Sequence, residues 1–104
     1  MTGFRLTSRK GVSFVNLGET LDMGAAPPLR TVLQKALAKG QPLQINAGSV
    51  NRMSTPCIQV LLAAVPTLET AGLSCVFLRP SDAFIDAFNE LGLFPILKQW
   101  TFKE

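Results

Sequence analysis

The chain has 104 residues, of which 47% are hydrophobic and 16% charged, so residues 1–104 are expected to form a single folded domain and a disordered chain is excluded. Histidine is absent, which removes serine–histidine–aspartate triads, cysteine–histidine pairs and histidine metal sites, and we therefore expect no enzyme activity, no metal and no cofactor. The ten Lys and Arg residues exceed the seven Asp and Glu residues, but they are scattered without interleaved aromatic residues, so we do not expect nucleic-acid binding.

The cysteines and the amino terminus indicate a cytoplasmic protein. Cys57 and Cys75 form no C-x-x-C pair, so neither a disulfide scaffold nor a zinc site is predicted. Residues 1–10 contain no apolar run of the kind found in signal peptides, and the most apolar later run, 60–65, is far too short to span a membrane. We therefore expect a reducing compartment and no membrane insertion.

The first third of the chain predicts a hairpin followed by a helix. Residues 4–7 and 12–17 are rich in β-branched and aromatic residues and are separated by a turn-prone segment, which predicts two antiparallel strands. Residues 27–39 place apolar side chains at the spacing of one helix face, with Pro27 in the first turn and Gly40 just past the end. We therefore predict a helix over 27–39.

The middle of the chain predicts a strand and a second helix. Residues 43–47 alternate apolar and polar side chains, which is typical of a strand. Residues 56–71 again show helical spacing, although Pro66 lacks the amide that would donate to the carbonyl of Leu62. We therefore predict a helix over 56–71 with a kink or a break at Pro66.

The last third predicts another strand and a third helix. Residues 74–79 are apolar on both faces, which predicts a buried strand at the centre of the sheet. Ser81 precedes an amphipathic segment at 82–91, which predicts a capped helix. The tail at 95–104 fits a helical turn or a strand, and both interpretations stay open.

The order of these elements, β-β-α-β-α-β-α, predicts an α/β fold with a mixed β-sheet packed by helices. The hairpin makes one pair of strands antiparallel. Strands that alternate with helices are usually parallel and joined by right-handed crossovers, so we expect the later strands to be parallel.

The start of the second helix carries the most functional information, because Ser54 and Thr55 precede Pro56 there. A hydroxyl at this position can cap the free amides of the first turn, and a phosphoryl group on it would meet the positive end of the helix dipole. The structural interpretation is an ordinary helix start, with Thr55 as the cap and Pro56 as the first helical residue. The functional interpretation is a switch hydroxyl, and the pattern alone leaves both open.

This segment resembles the signature of STAS domains, which are found in anti-sigma factor antagonists and at the ends of sulfate transporters. The resemblance rests on a hydrophobic strand, the Val50-x-x-Met53 step, the Ser54-Thr55 pair and an apolar helix start. It covers most of the chain, and it implies a STAS-type mixed sheet and a non-catalytic protein-interaction and regulatory module. The matching segments are the N-terminal hairpin and residues 17–22, 43–47, 50–55, 58–62 and 90–94.

The resemblance also implies where a partner binds. The family's phosphoacceptor hydroxyl falls on Thr55, with Ser54 as the adjacent candidate, and the family's partner is an ATP-dependent serine kinase that acts as an anti-sigma factor. Ser54 stands where the family has an acidic residue, and Pro56 and Cys57 stand where it has Ser-Gly, which implies weaker phosphate binding at this helix start. The partner-binding residues carried over are Asn51, Arg52, Ser54, Thr55 and Gln59.

The resemblance to two other groups of STAS proteins implies other possible partners. STAS subunits of bacterial lipid-transporting ABC complexes carry threonine at the position of Thr55 and use the site for docking. Stand-alone STAS proteins of chemotaxis-type kinase systems resemble this chain in their Thr-Pro pair. The expected partner is therefore a protein, either an anti-sigma serine kinase or another ATP-binding protein.

A thiol-dependent enzyme is the alternative from a different functional class. Cys57 is expected at the second position of the second helix, where the helix dipole would lower the pKa of its thiol. The competing interpretation is a small apolar residue packed beneath the motif. Cys75 is expected to lie in the core.

Two further groups have a structural and a functional interpretation. Asp82, Asp86 and Glu90 recur every four residues, as on a solvated helix face, whereas a metal site needs oxygens from several segments. Apolar residues near the end of the chain fit either the core or a homodimer or partner patch. These residues are Leu93, Phe94, Ile96 and Trp100.

Overall fold

The computed structural model describes residues 4–101, and its first two strands form the predicted hairpin. β1 (Leu6–Arg9) pairs antiparallel with β2 (Val12–Asn16). Lys10 and Gly11 connect them with φ angles of 53° and 79°, and two successive positive φ angles are what a two-residue type I′ turn requires. β1 begins two residues later than the predicted strand, and it extends to Arg9 because the turn takes only two residues.

Two parallel strands extend the hairpin into a four-stranded sheet. β4 (Leu43–Asn46) lies parallel to β2, and β6 (Cys75–Leu78) lies parallel to β4, so the prediction of parallel later strands is confirmed. The strand order is β1-β2-β4-β6. The predicted mixed sheet packed by helices is confirmed, but the central position predicted for 74–79 is wrong, because β6 is an outer strand.

Burial differs between the two faces of this sheet. Val15, Ile45 and Phe77 lie opposite one another on the helix-covered face, and each is at most 1% exposed. On the other face Val76 is half-buried and Leu78 is 36% exposed. The apolar side chains on both faces of β6 therefore reflect a partly open sheet face rather than a central strand.

α1 (Ala26–Lys39) confirms the first predicted helix to within one residue. Pro27 and Pro28 lie in its first turn, where no intrahelical amide is required, and Gly40 ends it with a φ angle of 68°. Its core-facing residues follow the predicted spacing. They are Leu29, Val32, Leu33 and Ala36.

α2 (Thr55–Thr70) continues through Pro66, so the predicted break is wrong. Pro66 is exposed, whereas Leu61 and Val65 are fully buried. The lost hydrogen bond therefore falls on the solvent side of the helix, and the buried side chains hold the other side in place. Neither α2 nor any other helix within the described residues has the length and apolar character needed to cross a membrane.

α3 (Asp82–Glu90) begins at the predicted cap, Ser81, and the tail that follows forms a further helix, α4 (Phe94–Thr101). Leu97 and Trp100 of α4 are 1% and 4% exposed, and two buried residues three positions apart suit a helix and not a strand. The helical interpretation of the tail is thus confirmed over the described residues and the strand is wrong. Residues 102–104 of that tail lie outside them.

Candidate functional site

The start of α2 is fixed by a two-stranded ladder that the sequence did not predict. β3 (Thr20–Leu21) lies parallel to β5 (Arg52–Met53). The backbone amide of Ser54, next to β5, donates to the carbonyl of Leu21 at 2.8 Å. Two residues carry too little periodicity to be recognised as a strand in a sequence, yet this ladder sets the position from which α2 starts.

A second set of hydrogen bonds ties the loop before β5 to the start of α3. The Ser81 hydroxyl donates to the carbonyl of Val50 at 2.6 Å, and the Ser81 amide donates to the carbonyl of Ala47 at 3.1 Å. Gly48 lies so close to this junction that a Cβ atom on it would approach the Arg79 carbonyl oxygen to 3.2 Å. Ser81 is recognisable as a cap from the sequence, but its contact with the loop is not, because no local pattern signals a contact between distant segments.

The helix start differs by one position from the predicted one. The carbonyl of Ser54 accepts the first helical hydrogen bond, from the amide of Ile58 at 3.1 Å, and the Ser54 backbone is extended. Ser54 is therefore the N-cap and Thr55 the first helical residue, so the prediction of Thr55 as cap is wrong. Pro56 becomes the second helical residue, where its missing amide is equally tolerated. The ladder determines this, because it holds Ser54 extended.

Four of the five predicted partner-binding residues are exposed, and they lie together around the start of α2. Thr55 and Gln59 are one helical turn apart on α2, and Asn51 and Arg52 directly precede it. Ser54 is half-buried, and its hydroxyl oxygen is buried without a hydrogen-bond partner among the described residues. We call these five residues the Thr55 surface.

Cys57 lies beneath this surface and does not have the features of a nucleophile. It is fully buried at the third position of α2, not the second, and its thiol donates to the carbonyl of Asp22 at 3.4 Å. Burial raises the pKa of this thiol. The Ser54 hydroxyl lowers the pKa, because it would donate a hydrogen bond to the thiolate, but its effect is smaller. The negative charge of the Asp22 carboxylate raises the pKa further. The predicted lowering of the pKa is therefore wrong, because desolvation by burial outweighs the lowering by the Ser54 hydroxyl.

Cys75 confirms its predicted place in the core. It is fully buried in β6, and burial raises the pKa of its thiol to about 12. Within residues 4–101, no cluster of three or more Cys, Asp and Glu side chains could hold a metal ion.

The acidic row and the apolar end of the chain are divided between solvent and core. Asp82, Asp86 and Glu90 are all exposed, which confirms the interpretation as a solvated face. Trp100 is a core residue that stacks on Phe77 with ring centroids 5.3 Å apart. The other members of the predicted patch are half-buried or exposed. They are Leu93, Phe94 and Ile96.

Comparison with protein families decides the class of this fold. The sequence model of the family described as "Mlab, STAS domain" matches residues 4–97. The chain belongs to the STAS domain family. Members of this family are generally non-catalytic regulators. No curated protein matches the chain.

Solved structures share the fold of this STAS domain. The Bacillus cell fate determinant SpoIIAA in its phosphorylated form has a TM-score of 0.72 and 21% identity, over 98% of this chain and 91% of its own. An anti-sigma factor antagonist from Mycobacterium paratuberculosis has a TM-score of 0.72 and 23% identity, over 89% of this chain and 80% of its own. A sulfate transporter family protein from Wolinella succinogenes has a TM-score of 0.73 and 18% identity, over 91% of this chain and 79% of its own. The fold is thus that of anti-sigma factor antagonists.

Proposed function

We propose that this STAS domain is a non-catalytic cytoplasmic binding module that docks through the Thr55 surface onto an ATP-binding protein, in the first place an anti-sigma serine kinase. The observation that carries the proposal is the exposure of Thr55 at the first position of the sixteen-residue α2, among exposed polar neighbours. A backbone hydrogen bond to Leu21 of β3 and a bond from the Ser81 hydroxyl to the carbonyl of Val50 hold the segment in place, so the side chains of the Thr55 surface need not do so. A surface of this kind can meet a partner without rearrangement.

Thr55 is proposed as the switch hydroxyl. A phosphoryl group there would lie at the amino end of a helix, where negative charge is tolerated within the domain, so its effect would fall on the partner interface. Pro56 removes one first-turn amide, which weakens the hold of the helix on such a group. The phosphoryl group would then project toward the partner rather than fold back onto the domain.

The docking surface can be tested with an anti-sigma serine kinase, or another ATP-binding protein, that binds this chain. We expect Arg52→Ala to weaken its binding about tenfold in a calorimetric titration, because arginine side chains at interface centres contribute a large share of affinity. Arg9→Ala, which removes an exposed arginine from the distant hairpin, is the matched control and should leave affinity unchanged. Equal affinities for Arg52→Ala and the wild type would place the interface elsewhere.

Incubation with the partner and MgATP separates the partner classes. A serine kinase, of anti-sigma or chemotaxis type, is expected to add one phosphoryl group that Thr55→Ala abolishes and Ser54→Ala does not, because the Ser54 oxygen is buried. A lipid-transporting ABC ATPase would instead give a stable complex without modification of Thr55. Phosphorylation of Ser54 alone, read by mass spectrometry of the peptides, would contradict the assignment of the switch.

A further inference from the structure

A groove of about 530 Å³ runs between the exposed sides of α1 and α2. Its lining extends from Ala26 to Leu37 on α1 and from Pro56 to Leu68 on α2. At 1.5 Å of rise per residue these spans are about 17 Å long, which is about three turns of an α-helix. The groove is thus an elongated channel with the length of a short helix.

The walls of the groove select a helix over an extended peptide. Both walls are helices, whose interior backbone groups are already hydrogen-bonded, so an extended segment would find no backbone to pair with. An amphipathic helix satisfies its own backbone and brings apolar side chains at a spacing of three and four residues. The apolar lining residues with accessible surface that would receive them are Leu37, Val60, Ala63 and Ala64.

The charges around the groove select an acidic helix. Among the described residues that line the groove, Arg30 alone is charged. α1 also carries Lys35 and Lys39 and contains no acidic residue, and α2 contains only Glu69. α3 has the opposite character, with three acidic residues and no basic one. The α1–α2 side of the molecule therefore attracts carboxylates.

We propose that the groove receives an acidic amphipathic helix of the protein partner. Its apolar side faces the groove and a carboxylate meets Arg30, while one end of the helix reaches Pro56 and Gln59, beside Thr55. This inference rests on the proposed function in one respect only, namely the identity of the protein that contributes the helix. The groove itself is testable without that protein and without Thr55.

The probe is a fluorescein-labelled peptide of about 18 residues, with leucine at three- and four-residue spacing and glutamate on its rim, measured by fluorescence anisotropy against the full chain. A second peptide has lysine in place of every glutamate. The acidic peptide is expected to bind, and the basic peptide to bind about tenfold more weakly or not at all. Absence of binding by the acidic peptide, or equal binding of both, would overturn the proposal.

Two pairs of variants locate the binding. Arg30→Glu should weaken binding of the acidic peptide about tenfold, whereas Lys35→Glu, which changes the same charge on the same helix but outside the lining, should weaken it only about threefold. Ala63→Trp fills the groove from an exposed position and should abolish binding, whereas Ala38→Trp, equally exposed but outside the groove, should not. Identical effects within either pair would overturn the proposal.

Sedimentation of the chain without peptide tests the other occupant, a second copy. The proposal expects no self-association through the groove. A concentration-dependent dimer that Ala63→Trp abolishes and Ala38→Trp preserves would assign the groove to a second copy and overturn it. Circular dichroism of each variant confirms that loss of binding does not reflect unfolding.

Discussion

The starts of α2 and α3 use the same residue type in the same backbone conformation and differ in what its side chain does. Ser54 and Ser81 are both extended N-cap residues. The Ser81 hydroxyl accepts a hydrogen bond from the amide of Phe84 at 3.1 Å and donates to the carbonyl of Val50 at 2.6 Å. The Ser54 hydroxyl makes no cap bond.

This difference separates a stabilising helix start from one that is available for binding. α3 has a capping side chain and an acidic residue, Asp82, in its first turn, and both stabilise a helix. α2 has neither of these features. It is anchored instead by the backbone amide of Ser54, which donates a hydrogen bond to the carbonyl of Leu21. The side chain of Ser54 thus adds no cap to α2, and Thr55 is exposed and can meet a partner.

Ser81→Ala should give the largest loss of stability at these two helix starts, about 2 kcal/mol. The variant removes a cap worth about 1 kcal/mol and leaves the carbonyl of Val50 without its donor. Urea unfolding followed by the fluorescence of Trp100, the chain's single tryptophan, measures the change. A loss no larger than that of Ser54→Ala would contradict the comparison.

The buried thiols of Cys57, in the first turn of α2, and of Cys75 should make the protein less stable at alkaline pH. Burial raises both pKa values above the ordinary value of 9.0, that of Cys75 to about 12. The unfolded chain therefore releases protons that the folded chain retains, so this stability is fully present below pH 9 and is lost as the pH rises from 9 toward 12.

The slope expected for Cys75 is about 1 kcal/mol per pH unit. Urea unfolding across that pH range should show a shallower decline in Cys75→Ala than in the wild type, and Cys57→Ala should act in the same direction. Parallel declines in the wild type and Cys75→Ala would show that this thiol is not the cause. Fast alkylation of Cys57 in the native protein at neutral pH would instead indicate an activated thiol.

Ser54→Ala should change stability least, by less than about 0.5 kcal/mol. The substitution removes a buried oxygen that has no hydrogen-bond partner among the described residues, which compensates for the weaker cap propensity of alanine. The same unfolding assay measures it beside Ser81→Ala. A loss of about 1 kcal/mol or more would mean that Ser54 caps α2 in solution.

Local signals were enough to predict the elements with strong periodicity or clear ends. α1 has an apolar stripe, prolines in its first turn and Gly40 at its end, so its bounds are correct to one residue. The choice of Thr55 and its neighbours as candidate site residues came instead from the resemblance to STAS domains.

Features that depend on distant contacts were not predictable. The N-cap fell on Ser54 because Leu21 holds its amide, and the raised pKa of the Cys57 thiol depends on how the chain packs over it. The outer position of β6 follows from the order in which the strands pair, and the helical tail follows from the packing of Trp100 on Phe77. Each of these needs the tertiary structure, which no single segment of sequence contains.

The central claim is that the charge state at Thr55 controls partner binding, and three variants at this position test it. Thr55→Glu should weaken binding about a hundredfold, because an uncompensated charge buried in an interface costs about 3 kcal/mol. Thr55→Gln introduces a side chain of the same size as glutamate but without its charge, and Thr55→Ala removes the hydroxyl. Both variants should bind the partner nearly as tightly as the wild type does. Calorimetric titration against the partner, with a melting curve for each variant, is the measurement. Wild-type affinity in a folded Thr55→Glu variant, or an equal loss in Thr55→Gln, would contradict the account.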